Sequence, residues 1–133
     1  MQETLCAFLV MTTCLSAIQT SGPLDWIGVW QAELDGQPSL VLTLAADDGT
    51  LQGTLVLNGI SRDGGAPHIA VREVHVLLHP KVSGTTISFE VKQVRGSEKT
   101  MDFTVQQTSI GTARIHCLNC GDDAPVVEIT KQD

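Results

Sequence analysis

The sequence contains no tyrosine, and its only rings are three Phe, two Trp and four His in 133 residues. A binding site walled by stacked rings has little to be built from. Cations are also scarce. Eight Lys and Arg stand against fifteen Asp and Glu, for a formal charge of −7. A surface of that sign repels phosphates, which argues against nucleic acid and anionic membranes as partners. Helical periodicity is missing after the first twenty or so residues. So are the short motifs of phosphate, dinucleotide and hydrolase chemistry: no Gly-x-Ser-x-Gly, no P-loop and no Gly-x-Gly-x-x-Gly occurs. The apolar faces carry no recurring carboxylate or histidine, so the sequence predicts no catalytic residue, no metal site and no cofactor.

What is present is alternation with period two. Trp26, Gly28, Trp30, Ala32 and Leu34 share one face of a first strand. Leu40, Leu42 and Leu44 share a face of a second, and Leu51, Gly53, Leu55 and Leu57 a face of a third. Asp35-Gly36 and Asp47-Asp48-Gly49 separate them as turns. Asn58 to Pro67 has loop composition. A fourth strand is predicted from Ile69 to Leu78, with Val74, Val76 and Leu78 inward and Glu73, His75 and His79 outward. Further strands carry Ile87, Phe89 and Val91, then Met101, Phe103 and Val105, then Ala113 to Cys117, and last Val126 to Lys131. Eight short strands in sequence predict an all-β domain. Such a sheet curls, and closing it removes both edges, which predicts an eight-stranded antiparallel up-and-down barrel, with a β-sandwich as the alternative.

The front of the chain is different. Leu5 to Ile18 is an uncharged apolar run, too short for a comfortable membrane span and of the length of a signal-peptide core. Residues 1–22 are therefore expected to be a signal peptide or an N-terminal apolar segment, and 23–133 a single barrel domain. The expected mature chain begins between Ala17 and Pro23, is secreted or periplasmic, and has no membrane span. Cys14 leaves open a lipid anchor, although Met11-Thr12-Thr13 matches a lipobox poorly.

Gly28-Val29-Trp30 at the head of eight short strands resembles the start of calycin-type barrels, the lipocalins and avidins. Asp48-Gly49-Thr50-Leu51-Gln52-Gly53-Thr54 is similar to the second turn and third strand of avidin-like proteins. Small exported bacterial barrels of unknown function share this look. In lipocalins the Gly-x-Trp tryptophan crosses the closed end of the barrel beneath a late-strand cation. The resemblance gives that role to Trp30, with Lys131 or Arg114 over it. The chain departs from both families. It has no Tyr for the lipocalin Thr-Asp-Tyr motif, and it lacks the later-strand Trp and Tyr that line the avidin biotin site.

Cys117-Leu118-Asn119-Cys120 is the sharpest local feature. Zinc would require a second ligand pair and a redox centre a helix N-terminus, so an exported chain predicts a disulfide between Cys117 and Cys120, with half of a metal site as the alternative. His75 and His79 are too far apart along a straight strand, about 13 Å, to share a metal. Three functions follow as expectations. The first is a small apolar ligand held at the barrel's interior and mouth by Leu42, Leu55, Val76, Phe89 and Phe103, with Asn58 to Pro67 as a lid. The second is a solid-core structural or protein-interaction module. An enzyme is the remote third alternative, and the chain is expected not to be one. An interior void of about 300 Å³ or more would favour the first over the second.

Overall fold

The computed structural model describes residues 26–93 and 99–133. The N-terminal apolar run, its expected cleavage site and Cys14 lie outside the described residues. Among the described residues, nine antiparallel strands form one sheet: β1 (Gly28–Leu34), β2 (Gln37–Asp47), β3 (Thr50–Ser61), β4 (His68–Val76), β5 (Leu78–Ser83), β6 (Thr86–Lys92), β7 (Thr100–Ser109), β8 (Thr112–Cys117) and β9 (Val126–Lys131). Their order across the sheet is β4-β3-β2-β1-β9-β8-β7-β6-β5. The chain is all-β. It curls as a half-barrel from a single sheet rather than forming a two-sheet sandwich.

The hairpins follow from their turn residues. Asp35 and Gly36 have φ of 55° and 77°, and Asp48 and Gly49 have 51° and 78°. Two successive left-handed residues make the primed turn whose twist matches paired strands, and Asp-Gly tolerates it best. The inward residues then meet. Trp30, Leu42, Leu44, Leu55, Ile87, Phe89, Val91, Phe103, Val105, Ala113, Ile115 and Ile129 belong to one buried cluster. Burying each large aliphatic or aromatic side chain contributes about 1.5–3 kcal/mol, so this cluster is the main source of stability.

First and last strands do pair, with Trp30 opposite Lys131 and Gln31 opposite Thr130. The sheet nevertheless has two edges, β4 and β5, where a fully closed barrel would have none. The reason lies in one residue. The stretch expected to be a fourth strand is two, because the chain bends at Leu77, leaves β3 and joins β6. Leu77 is buried, and its amide donates to the Gly53 carbonyl at 3.0 Å. Just after the bend, His79 has φ of 51° and Pro80 follows within a register irregularity between Leu78 and Lys81. The seam of the half-barrel therefore falls between two consecutive strands.

Two further expectations are corrected. Asn58 to Ser61 belong to β3, so the connection is shorter than the expected lid, and Arg62 Nε donates to Asp35 Oδ2 at 2.8 Å to tie it to the β1–β2 turn. The faces of β4 are also reversed. His75 stands opposite Leu55 and Glu73 opposite Leu57, so both point inward, whereas Val74 and Val76 point outward and are 59% and 66% exposed. Leu77 is the true inward residue. Side chains alternate strictly, so placing Leu77 inside forces its neighbours outside. A bulge at Ala70, between the pairs Gly59–Val71 and Ile60–Ile69, resets the register farther along.

Candidate functional site

The sequence-predicted residues fall into three places. Leu42, Leu55, Phe89 and Phe103 are in the packed centre, where the rings of Phe89 and Phe103 stack at 5.4 Å. Val76 is on the outer surface, away from them. Trp30 is 1% exposed, with its ring 5.3 Å from that of Trp26 and its Nε1 donating to the Trp26 carbonyl at 3.0 Å. Lys131 Nζ lies 6.0 Å from the centre of the Trp30 ring. Arg114 stands opposite Glu128 on the outer face and is exposed, so Lys131 is the cation beside Trp30. Room for the lysine stem comes from Gly28, where a Cβ would sit 2.9 Å from Lys131 Cε.

Cys117 and Cys120 lie at disulfide distance, with Cα atoms 5.6 Å apart. Cys117 is buried opposite Phe103, and Cys120 is on the surface. Their loop has other anchors. The Asp102 amide donates to Asn119 Oδ1 at 2.8 Å, Asn119 Nδ2 donates to the Thr100 carbonyl at 3.0 Å, and the Leu118 amide donates to the Asp102 carbonyl at 2.7 Å. A bridge closing so short a loop contributes on the order of 2 kcal/mol. Reduction is expected to lower the melting temperature by a few degrees while the β-sheet circular dichroism stays unchanged, since these three bonds keep the turn in place. Alkylation mass spectrometry showing two free thiols in the protein from its own source would contradict the bridge.

The histidines are separate. His75 Nε2 is 3.4 Å from Glu73 on its own strand, and His79 Nδ1 is 3.0 Å from Glu90. Among the described residues, no group of three or more His, Cys, Asp or Glu is placed to hold a metal ion.

The feature that sequence reasoning missed is the seam. Beyond Leu77, β4 and β6 diverge and leave a cleft of about 610 Å³, lined by Arg72, Glu73, His75, Val76, Leu78 and Lys92 among others. β4 forms one wall. Every β4 residue except His75 is exposed, and among the described residues no strand pairs with β4 on the side away from β3. On its outer face Val74 continues a row begun by Val41 of β2 and Val56 of β3. The apolar row thus ends at an open edge. Natural sheets usually blunt such an edge with charge, proline or a cover, and over Ile69 to Val76 only Arg72 and Glu73 carry full charges.

Compared with known protein families, curated proteins and solved structures, the chain finds no match.

Proposed function

We propose that this protein is an exported interaction module, without catalytic chemistry of its own, that receives a partner strand along β4. One observation carries the reading: among the described residues β4 is an edge with no strand on the side away from β3, and it exposes Val71, Val74 and Val76 beside a centre already filled by side chains. An open edge offers backbone donors and acceptors to an added strand, and its side chains supply the selectivity. Exposed apolar residues gathered on one element mark a contact surface more often than ones scattered singly. The apolar run Leu5 to Ile18 and the paired cysteines support a site of action outside the cytoplasm.

A photo-crosslinking amino acid at Val76, introduced in the protein's own source, tests this. Adducts to polypeptide are expected at Val76 and absent when the same group replaces exposed Arg114 of β8. Equal labelling at both sites, or none at Val76, would refute the reading.

A second reading keeps a small molecule. The cleft volume of 610 Å³ falls in the range of ligand sites, and Val76 and Leu78 meet Arg72 and Lys92 along its wall. An amphipathic anion suits that lining better than a purely apolar one. Native mass spectrometry of the protein from its own source would reveal such a ligand as a fixed added mass.

A further inference from the structure

We infer that the partner strand is β4 of a second copy of this chain, paired antiparallel about a two-fold axis through Val74. The inference rests on reading β4 as a contact edge and adds the occupant and the register.

In an antiparallel pair, residues directly opposite each other lie on the same face. Two identical strands related by a two-fold axis therefore meet with one residue opposite its own copy. Each choice of centre can be judged by charge. Centring on Arg72 sets two guanidinium groups together, and centring on Glu73 sets two carboxylates together. Centring on His75 places each Glu73 opposite the apolar Leu77 of the other copy. Centring on Val74 places Glu73 opposite His75, and His75 opposite Glu73, twice over on the inner face. Arg72 then faces Val76, and the two Val74 side chains meet on the outer face. Like charges directly opposite are destabilising, whereas a carboxylate facing an imidazole has a hydrogen-bond partner, so of these four centres Val74 is the one that gives Glu73 a polar partner on the inner face.

The surrounding sheet agrees. Val41, Val56 and Val74 already stand side by side across β2, β3 and β4. The two-fold axis joins this row to its copy, giving an uninterrupted row of valines across six strands. His75 is already near Glu73 of its own strand, at 3.4 Å, so the pairing brings each into a cluster of alternating partners. At Leu77 the chain turns away to β6, so the shared segment is short, centred on residues 72–76, and the dimer should be concentration-dependent.

Sedimentation velocity over a micromolar concentration series, with circular dichroism as a check on folding, tests this. The wild-type chain is expected to shift from one to two chains as concentration rises. Val74→Lys should hold it at one chain with an unchanged spectrum. Glu73→His and His75→Glu should each weaken the dimer, and the double variant E73H/H75E should restore it, because the swap recreates the same cross-strand pairs. Oxidised Val74→Cys should give a cross-link between the two introduced thiols by peptide mapping, since directly opposed residues are within disulfide reach. A chain that stays single throughout overturns the inference, as does a dimer that V74K leaves intact or that the double swap fails to restore. Failure here is distinguishable from failure of the edge reading. A single-chain protein whose Val76 crosslinker still captures a different polypeptide loses the second copy and keeps the contact edge. No adduct of any kind removes both.

Discussion

Trp30→Ala is expected to destabilise the protein by about 3–5 kcal/mol, the range for removing a large buried aromatic side chain. Trp30 is 1% exposed and belongs to the core cluster. Its removal acts at three levels. The apolar transfer energy is lost, and a cavity opens beneath Leu42 and Lys131, its partners in the register on either side. The Trp26 carbonyl loses the indole donor at 3.0 Å, and the Trp26 ring loses its neighbour at 5.3 Å. Lys131 loses the ring beside its ammonium group, which contributes less than the packing. The denaturant midpoint should fall sharply with little change in slope, because the surface exposed on unfolding is nearly the same. Fluorescence gives a second reading. With no tyrosine and only two tryptophans, the variant reports on Trp26 alone, and its emission should shift to the red as its packing loosens. A variant with the wild-type midpoint would show that Trp30 adds nothing to the packing of the core.

Much of this architecture is legible in the chain because it rests on local rules. Asp35-Gly36 and Asp48-Gly49 announce their turns chemically, and the alternation Ile87, Phe89, Val91 can bury only one face. Trp30 and Lys131 are far apart in sequence, yet the meander brings first and last strands together. The failures cluster where apolar residues adjoin. Val74-His75-Val76-Leu77-Leu78 offers two registers, one with Val76 inward and one with Leu77 inward. The alternation alone prefers the first, because it gathers three apolar residues on one face. Pairing with β3 selects the second, which buries Leu77 and lets its amide reach the Gly53 carbonyl. One slip reverses the whole strand, moving Val76 out of the expected ligand site and Glu73 and His75 into the inner face. The cleft was illegible for a related reason. It arises where β4 and β6, distant in sequence, part company, and no local pattern encodes the place at which two strands diverge.

Gly53→Ala is the other substitution expected to cost heavily, at about 3 kcal/mol or more, the upper end for forcing atoms into a packed sheet. Gly53 lies in β3 between Leu44 of β2 and Leu77 at the bend. A Cβ added there would collide with the Thr43 carbonyl oxygen and sit 3.3 Å from Leu44 Cα. These are backbone atoms, so no rotamer change relieves the clash; the strands themselves would have to separate. A glycine inside a strand often marks a close approach of backbone, and here it does. Its carbonyl accepts the Leu77 amide at 3.0 Å, the bond that holds the chain at its crossing from β3 to β6. Gly36→Ala is the control. No atom lies within 4 Å of its added Cβ, and its φ of 77° carries only the left-handed penalty of roughly 1–2 kcal/mol. Thermal unfolding of both variants should therefore rank Gly53→Ala well below Gly36→Ala. Amide exchange should show where the difference arises, with Leu77 losing protection in the Gly53 variant and keeping it in the control. If the two variants melt together, the bend is not held by contact at Gly53. The seam, its cleft and the open edge of β4 would then need another cause.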